Sequence, residues 1–519
     1  MEENITAQTP AQGAQQGAIP TECSAAYMPA KPLRPPLDIH DALTAWGCLA
    51  LGFIFTRWVA ATSGSLSGGI FWAAVGALAA VYARVKKLSV SAGQWVVFAV
   101  AEVFCAVPLF CSDRMLNLFA AVFSFALICY FAASVSGAEL FGRHFIRDVL
   151  GAVFARPFGG FGSAPRAAFS LFRGGSRSKT ALYVIIGLVA AIPLTLVVVP
   201  LLISSDGAFE EIMLKALSWL PRIDARLFMQ LILGVPVGFF LFGLLFSMRR
   251  PIERRAEGAP TYRFVPAAVS CAAVTPLCVF YLIYILSQLR YLTAAFGGEL
   301  PEGLSFSEYA RRGFFELCAV AFINLCVIAA VQAFTRRGEC DVRPAALRVY
   351  TAVLCAFSLL LTACALSKMA LYIRSMGMTR LRVYTSWFML VMAAAFVLII
   401  VWQVRELPFW RVMFAAFAVM FGVLCFSNPD GVIAGHNYNA YCSGELSELD
   451  AKVLRSCGDS GVKYLVLALE RGDVPENEAA LRAALEELRC GIERRNGFEW
   501  FSVPRASAQY ALAEYAPEG

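Results

Sequence analysis

The stretch LNLFAAVFSFALICYFAASV, residues 116 to 135, decides the fold class of this chain, because none of its 20 residues is charged. A helix of about 20 apolar residues crosses the hydrocarbon core of a bilayer, which is about 30 Å thick. Comparable runs recur along the chain. We predict eleven spans, at residues 42 to 61, 66 to 83, 94 to 112, 116 to 135, 181 to 203, 227 to 247, 264 to 287, 313 to 334, 349 to 371, 384 to 404 and 410 to 427.

The composition favours the same fold class. Of the 519 residues, 59% are apolar and 16% are charged, whereas about 25% of the residues of soluble proteins are charged. The sequence therefore predicts an all-α polytopic membrane protein with about 11 transmembrane helices and a small C-terminal water-soluble domain. We expect a disordered N-terminal tail at 1 to 41, a transmembrane domain at 42 to 427 and a C-terminal extramembrane domain at 428 to 519.

Lysine and arginine collect in the loops after the even-numbered spans. Arg84, Lys86 and Lys87 follow the second span, and further basic residues lie between 136 and 180 and between 248 and 263. Because short basic loops stay on the cytoplasmic side, we expect the N-terminus inside and the C-terminal domain outside. The C-terminal domain is acidic, which fits a separate water-soluble unit.

A segment at about 139 to 180 stands apart from the spans. Phe141, Phe145, Val149 and Phe154 lie at helical spacing, and a loop rich in glycine and arginine follows them. This pattern predicts an amphipathic helix at the inner membrane surface.

Recognisable catalytic and metal-binding patterns are absent from the sequence. Most of its 16 cysteines lie in or beside apolar spans, no CxxC pair occurs, and there are 3 histidines. Cysteine in such positions behaves as a small apolar residue. We therefore expect no metal site, no cofactor and no catalytic residue, and we do not expect nucleic acid as a partner.

Polar residues at the start of the eighth span offer a candidate site. Glu308, Arg312 and Glu316 are each four residues apart, so a helix would stack them as a ladder of ion pairs. Asn324 follows two turns deeper on nearly the same side. The set can form either a helix-packing seam with hydrogen bonds across it or part of a polar pathway.

Three segments resemble the bacterial membrane families catalogued as domains of unknown function 4153 and 4173. They are 291 to 324, with SFSEYARRGFFELCAVAFIN; 367 to 387, with SKMALYIRSMGMTRLRVYTSW; and 428 to 442, with NPDGVIAGHNYNAYC. The resemblance covers roughly residues 180 to 519 and implies a multi-pass protein of a bacterial cytoplasmic membrane. It implies no activity. Since each pair of spans returns the chain to the same face, all three segments are expected on one face, predicted to be the outer one.

That outer face is rich in cations, acids and tyrosines. Arginine clusters can hold phosphate or carboxylate groups with paired hydrogen bonds. We therefore expect a ligand-binding or polar network from Asp206, Arg290, Tyr291, Glu308, Arg312, Glu316, Asn324, Lys368, Tyr372, Arg374 and Arg382.

Three functions fit these features. The first is a non-catalytic binding or sensing module that recognises an anionic lipid headgroup or a cell-envelope ligand at its outer face. The second is a transporter or lipid-translocating protein with a pathway past Glu316, Asn324 and Lys368. The third is a membrane-embedded lipid transferase. Membrane lipids are the expected partners in each case.

Overall fold

The computed structural model describes most of the chain from residue 36 onward. The continuous described ranges are 36 to 60, 65 to 142, 144 to 172, 225 to 251, 263 to 297, 314 to 336, 344 to 472, 477 to 495 and 497 to 515. Within them the secondary structure is helical, apart from one isolated bridge between Val265 and Thr335.

The first half of the chain contains long apolar helices and short helices that connect them. They are α1 Ile39–Ile54, α2 Leu66–Val85, α3 Ala92–Cys105, α4 Val107–Phe110, α5 Arg114–Val135, α6 Phe145–Leu150, α7 Arg156–Phe161, α8 Ala164–Ala168 and α9 Ala225–Ser247. A π-helical turn, Phe55–Val59, extends α1, and a second, Gly151–Ala155, joins α6 to α7.

The second half continues with long helices and ends in a group of shorter ones. They are α10 Ala267–Gly297, α11 Phe314–Phe334, α12 Ala345–Met376, α13 Arg380–Val404, α14 Phe409–Phe426, α15 Pro429–Cys442, α16 Ala451–Ser456, α17 Asp459–Arg471, α18 Glu478–Arg494 and α19 Val503–Glu514.

Ten spans among the described residues are long and apolar enough to cross a membrane. They are α1, α2, α3 together with α4, α5, and α9 to α14. The predicted all-α polytopic membrane fold is thus confirmed. The one remaining prediction, the fifth span at 181 to 203, lies outside the described residues except for single positions.

Helix direction follows from contacts at both ends of α1 and α9. Arg57 reaches Gln230 at 3.3 Å, and Arg249 reaches Asp41 at 2.8 Å, so these two helices are antiparallel. Arg156 bonds the carbonyls of both Ala133 and Arg250, which puts the ends of α5 and α9 at one face. The helices α5 and α9 therefore run in the same direction, as the count of eleven spans requires.

Glycine sets the close crossing of α1 and α9. A Cβ atom at Gly52 would lie 2.2 Å from the Gly234 carbonyl oxygen and 2.6 Å from the Gly238 nitrogen. The two backbones can approach this closely only because no side chain stands between them. This contact anchors a first lobe, formed by α1, α2, α3, α5 and α9 around one apolar core.

A second lobe contains α10 to α13, with its own core around Phe314, Leu354 and Phe396. The helix α14 joins the lobes, because its residues pack on α4 and α5 of the first lobe and on α13 of the second. The face on which α14 ends is called the C-face here, and the opposite face, where α1 begins, is called the N-face.

The last five helices, α15 to α19, enclose a further apolar core on the C-face. Leu454, Val462, Leu465 and Leu481 are completely buried in it. Met378, in the turn between α12 and α13, and Val383, in the first turn of α13, pack against the same core. The C-terminal helices thus sit directly on this turn of the second lobe.

Candidate functional site on the C-face

The turn between α12 and α13 places an arginine at the C-face. The helix α12 ends at Met376, and Gly377 has a φ of +73°, a left-handed conformation that glycine adopts without strain. Thr379 then caps α13 by accepting a hydrogen bond from the Arg382 backbone nitrogen. Arg380 is thereby fixed as the first residue of α13.

Arg380 forms a two-point ion pair with Asp430 of α15. Its Nε donates to Asp430 Oδ1 at 2.6 Å, and its Nη2 donates to Oδ2 at 2.7 Å. The Asp430 side chain is completely buried, whereas 36% of the Arg380 side chain is exposed. Asp430 lies in the first turn of α15, after the cap Asn428 and Pro429, where the helix dipole favours an anion.

A second carboxylate approaches Arg380 from the first lobe. Asp113 caps α5 by accepting from the Met115 backbone nitrogen at 2.8 Å, and its Oδ2 lies 3.8 Å from Arg380 Nε. The Tyr384 hydroxyl of α13 donates to the same carboxylate. One guanidinium therefore lies between carboxylates of the first lobe and of the C-terminal helices. We call Asp113, Arg380, Tyr384 and Asp430 the Arg380 network.

A side-chain amide fastens the same turn a second time. Asn437 of α15 accepts from the Met378 backbone nitrogen at 2.6 Å and donates to the Met378 carbonyl at 2.8 Å. A Cβ atom at Gly377 would lie 2.7 Å from Asn437 Oδ1, so the turn needs glycine for space as well as conformation. The second and third segments of the family resemblance meet at these bonds.

Burial controls proton affinity in this part of the C-face. It raises the pKa of Asp430 to about 6, while the hydrogen bonds and charge of Arg380 oppose that rise. Burial also raises the pKa of Cys111 and of Cys457 to about 12, which leaves both thiols protonated at neutral pH. Neither thiol is therefore poised as a nucleophile.

Four of the predicted site residues lie near the end of α12. The Arg382 guanidinium stacks on the Tyr372 ring at 4.0 Å and donates to the Met376 carbonyl at 2.9 Å. Arg374 is exposed, and Lys368 is half-buried one turn and a half further into the helix. Arg382 follows Arg380 by two residues, so the guanidinium groups of Arg374 and Arg382 lie at the C-face end of these helices.

Of the predicted ladder and its deeper asparagine, the structure describes Glu316 and Asn324. Glu316 is exposed in the first turn of α11 and is near enough to Lys368 for their charges to interact. Asn324 is buried, where it accepts from the Tyr281 hydroxyl at 2.7 Å and donates to Ser358 at 3.0 Å. These bonds join α10, α11 and α12, so Asn324 belongs to a packing seam.

The side chains of the other predicted site residues lie outside the part of the chain that the structure describes. Arg290 and Tyr291 lie in the last part of α10, toward the C-face. Asp206, Glu308 and Arg312 lie outside the described residues.

Sequence reasoning missed Asp113 and Asp430 as partners of one arginine. Each carboxylate stands at a helix start, where an acid is ordinary, and 317 positions separate them along the chain. An arginine just after a helix cap, as in MTR at 378 to 380, was the one available signal. It could indicate a charge near the interface but not its partners.

A second buried charge cluster lies at the N-face. Asp41 is completely buried and accepts from the Tyr82 hydroxyl at 2.9 Å. Lys86 lies 2.9 Å and Arg249 lies 2.8 Å from its two oxygens. These contacts join the N-face ends of α1, α2 and α9.

Among the described residues, no group of three or more His, Cys, Asp or Glu is placed to hold a metal ion.

Comparison with protein families gives a match. The model described as a domain of unknown function (DUF4153) matches residues 98 to 468. The match confirms the resemblance to domain of unknown function 4153. It begins at residue 98, earlier than the predicted residue 180, and it ends at residue 468, before α18 and α19. Comparisons with curated proteins and with solved structures give no match.

Proposed function

Because the chain belongs to the DUF4153 family, a family of unknown function, we propose a function from its own geometry. We propose that it is a non-catalytic binding and sensing module of a bacterial cytoplasmic membrane, with its C-face outside. The ligand is an anionic headgroup of a lipid or of a cell-envelope molecule. Binding at the C-face changes how the C-terminal helices sit on the two lobes.

The Arg380 network carries this proposal. Arg380 holds Asp430 at 2.6 and 2.7 Å and lies 3.8 Å from Asp113, so it links three parts of the chain. Buried ion pairs are either made or broken, because a half-made pair leaves a charge without compensation. Such a link suits a protein that switches between two discrete arrangements of its helices and does not pass through a continuous series of them.

The ligand surface is the cationic end of α12 beside this network. Arg374 is exposed and Arg382 is held over Tyr372 at 4.0 Å, which fixes the direction of its guanidinium. A preorganised guanidinium can bind a phosphate with two hydrogen bonds. Arg382 also bonds the Met376 and Gly377 carbonyls, so an anion that draws it away would loosen the turn that carries Arg380.

Hydrogen exchange of the full chain in nanodiscs tests this function. The probe is phosphatidylglycerol, added to a phosphatidylcholine bilayer. We expect slower or faster exchange at 376 to 380 and in α15 when the anionic lipid is present. The double variant Arg374→Gln with Arg382→Gln should remove that difference.

The matched control is Arg405→Gln, an exposed arginine at the N-face end of α13. It should leave the lipid-dependent difference at the C-face intact. Identical exchange in both bilayers, in wild type as in the variants, would contradict an anionic-lipid sensor. If phosphatidylglycerol has no effect and a soluble cell-envelope anion does, the ligand is an anion of the cell envelope and not a lipid headgroup.

A further inference from the structure

An apolar groove lies between the lobes, away from the Arg380 network. Its volume is about 290 Å³. Small-molecule pockets have volumes of about 300 to 1,000 Å³, so the groove is close to the lower limit of that range. Three spans line it: α5 through Phe123 and Leu127, α13 through Val391 and Ala394, and α14 through Met413 and Met420. The helix α6 closes it toward the N-face with Phe145 and Val149.

From its lining, we infer that this groove binds one acyl chain of a membrane phospholipid. Its wall consists almost wholly of carbon atoms from membrane-spanning helices, so water would find no hydrogen-bond partners there. An unfilled groove would forfeit dispersion contacts along all three helices. Acyl chains are the apolar molecules that surround such helices in a bilayer.

The end near the N-face has the chemistry of a headgroup site. Trp410 lies at this end, its ring 5.5 Å from that of Phe145, and its indole N–H has no hydrogen-bond partner among the described residues. Tryptophan at such a position prefers the headgroup level of a bilayer. A lipid phosphate or ester oxygen would accept the indole N–H there.

A cation stands next to that indole. Arg411 is exposed, and within the ranges that the structure describes its side chain makes no ion pair. The charges of Arg411, Asp148 and Glu139 all act on Tyr130, which lines the groove. Of the two acids, Asp148 has Arg147 as a partner at 3.7 Å. An apolar groove with an exposed arginine and an indole at one end complements a phospholipid with its phosphate at the N-face.

Photo-crosslinking of the full chain in nanodiscs tests this site. The probe is a phosphatidylglycerol with a diazirine near the end of one acyl chain. We expect labelled peptides from the groove side of α14, at Met413, Phe417 and Met420. Labelling confined to the outward side, at Val419 and Val423, would overturn the proposal.

Filling the groove supplies the second arm. Ala416 of α14 also lines the groove. Ala416→Trp should lower groove labelling about tenfold, equivalent to about 1.4 kcal/mol of binding free energy. Val419→Trp places the same ring on the outer side of α14, where 66% of the valine is exposed, and should leave groove labelling unchanged. Ala416→Leu is the milder variant if the tryptophan prevents folding. Full groove labelling in a folded Ala416→Trp protein would show that the groove holds no acyl chain.

Competition with unlabelled lipid tests the headgroup end. Phosphatidylglycerol should compete better than phosphatidylcholine in wild type, and Arg411→Gln should remove this preference. Arg405→Gln, at an exposed arginine six positions earlier, is the control and should retain it. An unchanged preference in Arg411→Gln would overturn the assignment of the phosphate to Arg411.

Discussion

Arg380 and Asp430 face each other with paired hydrogen bonds of 2.6 and 2.7 Å, although one begins a membrane span and the other begins the first helix beyond the spans. Paired geometry of this kind fixes both the distance and the plane of the two groups. The orientation of α15 on α13 is therefore set by one ion pair, reinforced by the two bonds between Asn437 and Met378.

Removal of Arg380 should destabilise the folded protein. At pH 8, Arg380→Gln would leave Asp430 buried and uncompensated, and losing one partner of a buried pair costs about 3 to 5 kcal/mol. We expect the lower end of that range, because 36% of the Arg380 side chain is exposed. Thermal unfolding in detergent measures the loss, and Arg374→Gln, at an exposed arginine, should change stability little.

The same pair can be examined by a double-mutant cycle. Asp430→Asn should recover part of the stability lost in Arg380→Gln, because it removes the uncompensated charge. Neighbouring residues in one network show coupling energies of about 0.5 to 3 kcal/mol. Strict additivity of the two single changes would show that the pair contributes no coupling.

The pKa of Asp430 predicts a pH dependence of stability. Because that pKa is about 6 in the folded protein against an ordinary 3.8, the folded state binds the extra proton between these values. The free energy of unfolding should therefore fall as pH rises from about 4 to about 6, by about 3 kcal/mol for this group alone. The measurement is the difference between wild type and Asp430→Asn across this range, and a flat difference would contradict it.

The crossing of α1 and α9 predicts opposite effects for two glycines of one helix. Gly52→Ala would place a Cβ atom 2.2 Å from the Gly234 carbonyl oxygen, and overpacking of this kind costs about 1 to 3 kcal/mol. Gly47 has no atom within 4 Å of a new Cβ, so Gly47→Ala should stabilise α1 by about 0.5 to 1 kcal/mol. Folded yield and unfolding temperature in detergent compare the two variants directly.

The N-face cluster predicts a strong effect of Asp41→Asn. The change would remove the carboxylate that Lys86 and Arg249 share, and both cations are largely buried, with 6% and 18% of their side chains exposed. Lys86 would keep its contact with Asp38, whose Oδ1 lies 2.5 Å from Lys86 Nζ. A loss of about 1.5 to 3 kcal/mol is expected, because the change weakens hydrogen bonds to charged groups. Adding Arg249→Met to Asp41→Asn should restore part of it. Equal stability of wild type and Asp41→Asn would show that the cluster does not hold the ends of α1, α2 and α9.

Orientation is open to a direct test. The basic loops predict that the N-terminus is inside, and the predicted count of eleven spans would then put the C-face outside. An alkaline phosphatase reporter joined after Gly519 should be active, because this enzyme folds only after export, and the same reporter joined before Met1 should be inactive. Activity in the reverse pattern would overturn either the orientation or the count of spans.

Sequence reasoning succeeded where the physical constraint is local. The run at 116 to 135 became α5, Arg114–Val135, because about 20 uncharged residues have few stable alternatives to a helix in a bilayer. Interruptions inside apolar runs were harder to foresee. The predicted span 94 to 112 is broken at Ala106, where Pro108 removes a backbone donor and α4 starts anew.

By itself, then, the amino-acid sequence determined that this protein is a bundle of membrane helices, since hydropathy and span length act residue by residue along one segment. Partner choice is different, because it depends on which helix faces which. Arg380 binds Asp430 and approaches Asp113, although these carboxylates lie 50 positions after it and 267 positions before it. Hydropathy carries no record of such pairings, and only the packing of the two lobes against the C-terminal helices decided them.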